Sequence, residues 1–151
     1  MFNLKNSVMA NVINEIKNWN LFTEKFGSEY EMHDAVIKQF DLNGDNLTIV
    51  VNTLYEMEDG KVYDIALRFS HLIRFDYDTE IGNDYIYGIE VVKDKFYNNL
   101  FKFTFDSVCL TIECFEIELM SITESEPFQR GMIWLNEPNQ TSDSGKMMWR
   151  T

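Results

Sequence analysis

Hydrophobic residues recur every fourth position near the start of the chain, at Leu4, Val8, Val12 and Ile16. Residues spaced in this way are neighbours on the surface of an α-helix, so they form one apolar face. The charged residues of the same stretch fall on the other faces. The pattern predicts an amphipathic helix over residues 4–19 that packs on the rest of the protein. A short turn that ends near Gly27 is predicted after it.

From Ala35 onward the hydrophobic period changes to two, which is the period of a β-strand. Apolar residues hold most odd positions between residues 47 and 57: Leu47, Ile49, Val51, Tyr55 and Met57. Ahead of them, the pair Asn43-Gly44 favours a tight type I′ turn. We therefore predict two strands that are joined by a hairpin at this pair.

The longest alternating stretch is Val62–Tyr77, and the turn sequence Glu58-Asp59-Gly60 precedes it. Its odd positions are apolar except for His71, and its even positions carry most of the charge. This pattern predicts a strand with one face in the core and one face in water. His71 and Ile73 are expected on the core face, with the histidine partly buried and hydrogen-bonded.

Four more strands are predicted at residues 85–92, 100–106, 108–115 and 116–122. The apolar positions are even in the third of these strands and odd from Phe115 onward. Since a change of parity moves side chains to the other face of a sheet, a bulge or bend is expected near Cys114.

One helix followed by strands with short connections excludes a parallel doubly wound sheet, which needs helical crossovers. The predicted fold class is α+β, with an N-terminal helix packed on a curved, mainly antiparallel β-sheet. The length of 151 residues fits one domain. Both prolines, Pro127 and Pro138, lie late in the chain. Residues 1–126 are therefore expected to form a single α+β domain, and residues 127–151 a partly irregular C-terminal extension.

The chain carries 25 acidic and 13 basic residues, for a net charge of -12. Residues 1–126 hold 23 of the acidic and 10 of the basic residues, so the acidity belongs to the predicted domain. Negative charge of this size repels the phosphates of nucleic acids and the anionic surface of membranes, so neither partner is expected. The sequence also lacks an apolar run long enough for a membrane-spanning helix. We expect a cytoplasmic protein with reduced thiols.

Candidate catalytic and metal-binding groups are few. His33-Asp34 would lie in an extended segment, where adjacent side chains point in opposite directions, so a catalytic pair is not assumed. Asp41 to Asp45 resembles the start of a calcium loop, but Asn46 and Asn52 stand where that loop needs Gly and Glu. No phosphate-binding glycine motif is present in the sequence. The predictions are therefore no catalytic activity, no cofactor and no metal.

Acidic residues concentrate in two parts of the sequence. Nine acidic and three basic residues lie between Glu56 and Glu90, and six acidic residues lie between Phe103 and Glu126 without a basic one. Solvated charge that keeps the protein soluble explains part of this pattern. The alternative is recognition of a basic partner. The candidate partner-binding residues are Asp76, Asp78, Glu80 and Asp84, followed by Glu116 and Glu118.

The segment from residue 19 to residue 42 contains Phe26-Gly27 and His33-Asp34-Ala35. In these motifs it resembles the immunity protein 50 family of bacterial polymorphic-toxin systems. The stretch from residue 64 to residue 77, which contains RFSHLIRFDY, is similar to the central strand of that family. The resemblance implies a small cytosolic protein that binds and neutralises a cognate toxin without catalysis. The five motif residues are expected to have structural roles.

Three further expectations follow. An acidic inhibitor suits a basic toxin such as a nuclease, whose nucleic-acid cleft must be positive. The alternative function is a small-molecule or lipid-binding domain, since 12 Phe and 7 Tyr could line an apolar cavity. A free edge of the sheet could also pair with a second copy, so a homodimer is possible.

Overall fold

A computed structural model describes residues 12–78, 84–94, 96–97 and 99–129. Within them, a turn of 3-10 helix at Ile13–Glu15 is followed by one α-helix, α1, at Trp19–Phe26. Six strands then follow: β1 (Val36–Asn43), β2 (Asn46–Asn52), β3 (Val62–Tyr77), β4 (Gly88–Lys93), β5 (Phe101–Asp106) and β6 (Leu110–Ser125). No helix in these residues is long and apolar enough to cross a membrane.

The six strands form one sheet in the order β1-β2-β3-β6-β5-β4. Every pair of neighbouring strands is antiparallel. The centre of the sheet is the pair of long strands β3 and β6, whose register runs from Val62 opposite Ser125 to Tyr77 opposite Leu110. The described part is mostly antiparallel sheet with one short helix, which is compatible with the predicted α+β class.

The hairpin between β1 and β2 is confirmed, although the turn differs from the predicted one. Asn43 pairs with Asn46, so the two central residues are Gly44 and Asp45. Only Gly44 of these two has a positive φ, of 65°. A positive φ at the first central residue alone is the pattern of a type II′ turn, which prefers Gly there.

Strand β3 has the predicted bounds, and its first half alternates as expected: Ile65, Leu67 and Phe69 are completely buried. The second half departs from the prediction, because His71 adopts a left-handed conformation with φ of 57°. His71 and Ile73 are therefore exposed and do not lie on the core face. Beyond this point Leu72, Phe75 and Tyr77 pack against the core.

Strand β6 is one continuous strand and replaces the two strands predicted over residues 108–122. The change of parity near Cys114 is confirmed, because Cys114 and Ile117 are both buried. The register between β3 and β6 shifts twice. Ile73 in β3 is the extra residue between the pairs Leu72–Cys114 and Arg74–Glu113, and Met120 in β6 is the extra residue between the pairs Ala66–Ser121 and Leu67–Leu119. Phe115 was expected in the core and is exposed instead.

The N-terminal helix prediction is wrong for its described part, and residues 4–11 lie outside the described residues. Lys17 joins the edge of β6 as a single parallel bridge to Glu118, so the chain is extended at this point. Asn18, with φ of 68°, then turns the chain into α1. The helix thus begins where the prediction ended, and it buries Trp19 and Phe22.

The core is filled mainly by aromatic and branched side chains. Phe69, Phe103 and Phe105 are completely buried, and their neighbouring rings meet edge to face with centroids 4.9 Å apart. Trp19 stacks on Phe22 with a centroid distance of 4.0 Å. Aromatic pairs of these geometries add to the free energy gained from burying their area.

The two outermost strands of the sheet are joined at one place. Val36 in β1 forms an antiparallel bridge with Tyr85, just ahead of β4. The Asp34 N–H donates to the Ile86 carbonyl, and the Ile86 N–H donates to the Ala35 carbonyl, each over 2.8 Å. These bonds bring residues 34–36 and 84–87 together and so position the candidate site.

Candidate functional site

Four segments meet where the outer strands are joined, and we call this region the acidic end: residues 31–36, 76–78, 84–88 and 106–109. The Ser107 hydroxyl donates to the Tyr85 carbonyl over 2.9 Å. The Asp78 N–H donates to the Cys109 carbonyl over 3.0 Å. Together with the bonds between residues 34–35 and Ile86, these contacts hold the four segments side by side.

The acidic end carries six carboxylates and no Lys or Arg in its four segments. The carboxylates belong to Glu31, Asp34, Asp76, Asp78, Asp84 and Asp106, and all six residues are exposed. Arg74, just before the second segment, pairs with Asp76, with Nη2 2.7 Å from Oδ2. A surface with such an excess of one sign produces a negative potential that attracts a basic partner.

Two of these carboxylates lie close to Gly88, the first residue of β4. A Cβ atom on Gly88 would lie 3.1 Å from Glu31 Oε1 and 3.7 Å from Asp106 Oδ2. The two oxygens are therefore no more than about 7 Å apart, the sum of those two distances. Neither carboxylate has a hydrogen bond or ion pair with another side chain in the described part of the chain.

Two exposed tyrosines belong to the same segment as Gly88. Tyr85 is 49% exposed and Tyr87 is 68% exposed. The His33 ring lies 5.1 Å from the Tyr87 ring. The Tyr87 N–H donates to the Asp106 carbonyl over 3.1 Å, which fixes the tyrosine backbone next to Gly88.

His33 and Asp34 do contact each other, contrary to the expectation for an extended segment. Asp34 has φ of 69°, and the two residues form a turn before β1. In this turn His33 Nδ1 lies 3.1 Å from Asp34 Oδ2, with both side chains more than half exposed. The pair therefore belongs to the open surface of the acidic end.

The structure separates the sequence-predicted partner-binding residues into two places. Asp76, Asp78 and Asp84 lie at the acidic end, and Glu80 lies outside the described residues. Glu116 and Glu118 lie together on the outer face of β6, away from those three.

Glu118 is engaged by its own chain. Its side chain is only 17% exposed, and Oε1 accepts a hydrogen bond of 2.8 Å from Arg68. The Asn18 side-chain amide lies 3.4 Å from Glu118 Oε2. Glu118 is therefore a structural residue of the sheet and a poor contact for a partner, and only Glu116 of this pair is exposed.

Of the remaining motif residues, Phe26 is half-buried, Gly27 is exposed and Ala35 is buried. The Phe26 ring contacts the Tyr30 and Tyr63 rings at centroid distances of 5.3 and 5.6 Å. Gly27 ends α1 with φ of 91°, a conformation that favours glycine. Burial, followed by the charge of Asp34, raises the pKa of Tyr30 to about 12.

A second charged cluster links α1 to the turn before β3. The Tyr63 hydroxyl donates to Asp59 Oδ2, and Lys25 Nζ lies 3.4 Å from the same oxygen. The hydrogen bond from Tyr63 lowers the pKa of Asp59, and Lys25 acts in the same direction. The pKa of Lys25 is raised, mainly by Tyr63 and also by Asp59. Tyr63 is thus the main cause of both shifts, and the attraction between Lys25 and Asp59 adds to each.

The two cysteines of the described residues have different environments. Cys109 is exposed in the turn before β6, while burial raises the pKa of Cys114 to about 12. No group of three or more His, Cys, Asp or Glu side chains in the described residues is arranged to hold a metal ion.

Sequence reasoning missed Glu31, Asp106, Tyr85 and Tyr87 as candidate site residues. Glu31 and Asp106 are separated by 75 positions, and only the pairing of β4 with β5 and the contact of residues 34–36 with residues 84–87 bring them together. Tyr85 and Tyr87 were predicted to lie at the start of the strand over residues 85–92. The alternation of two tyrosines just ahead of a glycine was the only available sign that the chain leaves the sheet there.

A scan of protein-family models and searches of curated proteins and of solved structures found no match to this chain. The resemblance to the immunity protein 50 family therefore stays a prediction.

Proposed function

We propose that this chain is a toxin-neutralising immunity protein, which acts in the bacterial cytoplasm by binding a basic toxin and has no catalytic activity of its own. The observation that carries the proposal is the acidic end, where six exposed carboxylates gather without a Lys or Arg in the same segments. Charge of this kind accelerates encounter with a basic protein and orients it. The resemblance of the Phe26-Gly27 and His33-Asp34-Ala35 motifs supports the same function.

The chemistry of the acidic end favours binding over simple solubility. Charges that only keep a protein soluble are usually interspersed with charges of opposite sign. Here, Glu31 and Asp106 lie within about 7 Å of each other near Gly88. Repulsion at this distance disfavours the folded state, and a basic partner would relieve it. A nuclease is a suitable target, since its nucleic-acid cleft must be positive.

We also infer that the sheet is curved and that α1 packs against it. The bridge between Val36 and Tyr85 joins the two outermost strands of a six-stranded order, which requires the sheet to bend back on itself. The burial of Trp19 and Phe22 supports the helix packing. A sheet closed in this way holds the four acidic segments in one fixed arrangement, which lowers the entropy lost on binding.

Co-expression with the toxin encoded beside this gene tests the function directly. The wild-type chain is expected to restore growth and to co-elute with the toxin on size exclusion. Asp106→Lys should weaken protection, because it reverses one charge at the acidic end. Glu24→Lys is the matched control, since it makes the same charge change at an exposed position on α1, outside the candidate partner-binding residues. Continued killing with wild-type protein and no complex would contradict the proposal.

A groove beside α1 supports a second candidate function, the binding of a small apolar molecule. Its volume is about 310 Å³, and it is lined by Asn18, Leu21, Lys25, Tyr63 and residues 119–122. Leu21 and Met120 are exposed on its rim. Fatty acids and small aromatic compounds should then raise the melting temperature, and Leu21→Asp should abolish this rise. A flat response to both ligand classes would remove this candidate.

A further inference from the structure

The exposed tyrosines Tyr85 and Tyr87 are not explained by the packing of the sheet. We propose that they form a docking surface for an arginine side chain of the basic partner protein, with Glu31 and Asp106 receiving the guanidinium group. This inference rests on the proposed function, and it assigns the binding of the partner to named atoms. It differs from the function itself because it specifies the residue type that is recognised.

The tyrosine pair has the features of an anchor for a protein partner. Both rings are exposed, while their backbone is fixed by three hydrogen bonds: Tyr87 N–H to Asp106, Ser107 hydroxyl to Tyr85, and Asp34 N–H to Ile86. The rings are therefore attached to a backbone that is already ordered, so little backbone entropy is lost on binding. Tyrosine is enriched among residues that dominate binding energy at protein interfaces.

The charge around the tyrosines determines which partner fits. Residues 30–36, 84–92 and 103–111 contain no Lys or Arg and carry five carboxylates, at Glu31, Asp34, Asp84, Glu90 and Asp106. An acidic partner would add like charge to this surface, and a neutral apolar partner would leave Glu31 and Asp106 without a counter-charge. A partner with cationic side chains complements them, so the occupant is a basic protein surface.

The geometry at Gly88 favours arginine over lysine. Glu31 Oε1 and Asp106 Oδ2 lie 3.1 and 3.7 Å from the position that a Cβ atom on Gly88 would take, so both oxygens are within reach of one planar group. A guanidinium group is planar and has five donors, so it can bond two separated carboxylates while its face stacks on a tyrosine ring. The lysine ammonium group is a compact, strongly hydrated charge without a flat face.

The test is an NMR titration of the full-length, 15N-labelled chain with nona-arginine and, separately, with nona-lysine. We expect nona-arginine to bind more tightly and to shift the amide signals of residues 33–34, 85–88 and 106–107 most strongly. Tyr87→Ala should weaken nona-arginine binding about two- to fivefold, which is the range for an exposed cation–π contact. Gly88→Ala should also weaken it, because the added Cβ would displace the Glu31 carboxylate from its present position.

Tyr97→Ala is the matched control for the tyrosine. Tyr97 is 63% exposed, close to the exposure of Tyr87, but lies in the connection between β4 and β5 beyond Lys93. Its loss should leave nona-arginine binding unchanged. Circular dichroism and thermal unfolding of each variant establish that it is folded before the titration is compared.

The docking surface is overturned if the largest shifts fall elsewhere, such as at Glu116 and Glu124, or if nona-lysine binds as tightly as nona-arginine. Equal weakening by Tyr97→Ala and Tyr87→Ala, or no measurable binding, also overturns it. These results are independent of the co-expression experiment. A chain that protects against the toxin but fails the titration keeps the proposed function and loses the arginine site.

Discussion

Acidic residues have opposite environments in two regions of this molecule. On the outer face of the central strands, Glu118 is bonded to Arg68 over 2.8 Å and Asp64 to Lys38 over 2.6 Å. At the acidic end, Glu31 and Asp106 lie close to Gly88. The side chains of Glu118 and Asp64 are only 17% and 18% exposed, whereas Glu31 and Asp106 are exposed residues.

The difference comes from strand register. Arg68 and Glu118 are directly paired residues of β3 and β6, so antiparallel pairing places their side chains on one face. Lys38 is the bulged residue of β1, which lets its side chain reach Asp64 in β3. No such pairing supplies a cation to Glu31 or Asp106. The carboxylates of Glu118 and Asp64 therefore stabilise the fold, whereas those of Glu31 and Asp106 remain available to a partner.

The largest expected effect is at Asn52, a completely buried residue that supports the paired region. Its side-chain amide donates to Asp64 and to the Glu126 carbonyl, and its oxygen accepts from the N–H groups of Leu54 and Phe128. Asn52→Ala removes four hydrogen bonds made by a completely buried side chain, so the free energy of unfolding should fall by about 2–3 kcal/mol. Urea unfolding measures this change.

The control for Asn52→Ala is Asn46→Ala, at the exposed start of β2. It should change the free energy of unfolding by less than about 0.5 kcal/mol. Equal effects of the two substitutions would show that the bonds of Asn52 contribute little.

The next largest effect concerns the ion pair on the strand face. Glu118→Ala should lower the free energy of unfolding by about 1–2 kcal/mol, because it removes a charged hydrogen bond from a half-buried Arg68. A double-mutant cycle with Arg68→Ala should give a coupling of about 1 kcal/mol. A coupling near zero would show that Glu118 contributes no more to stability than an exposed surface charge. The carboxylates of the two regions would then differ less than proposed.

A smaller effect of opposite sign is expected at the acidic end. Asp106→Asn removes one of two neighbouring negative charges and should leave the stability unchanged or raise it by up to about 0.5 kcal/mol at low salt. The gain should disappear at high salt, since exposed charges are screened. Thermal unfolding at two ionic strengths measures both points. A clear loss of stability would show that Asp106 has a structural role.

The smallest expected effect is at Asp59, which is exposed and yet bonded. Because its pKa in the folded protein is lowered below the ordinary value of 3.8, its contribution to stability is present above that value and is lost as the pH falls through the lowered pKa. Tyr63→Phe removes the main cause, so the pKa of Asp59 should rise toward 3.8. An NMR titration of the Asp59 carboxyl group measures the shift, and an unchanged pKa would exclude Tyr63 as its cause.

Much of the sheet could be predicted because its signals are local. The hairpin required only the Gly44 turn between two alternating segments, and the bounds of β3 followed from sixteen residues of alternation. The parity change near Cys114 was also visible, since it is recorded in the apolar positions themselves. It could not reveal the extra residues at Ile73 and Met120, because these depend on how β3 and β6 pair with each other.

The errors arose where a tertiary contact overrode a local pattern. The four-residue spacing through Val12 and Ile16 indicated a helix, but Lys17 bonds the edge of β6, so the chain is extended there. The left-handed conformations of His71 and Asp34 occur in residues that adopt them less readily than glycine, so no sequence signal marked them. For the candidate site, the aspartates near residues 76–84 were identifiable as a cluster, while the proximity of Glu31 and Asp106 depends on distant strand pairing.

The bonds of Asn52 also set an order for folding during synthesis. The set of hydrogen bonds at Asn52 in β2 is complete only after Glu126 and Phe128 have been synthesised. Strand β3 likewise pairs along its whole length with β6. Strands β1, β2 and β3 therefore emerge from the ribosome well before β6, the partner of β3, has been synthesised. Until then β3 presents an open apolar edge, and early termination near residue 110 would yield a chain prone to aggregation.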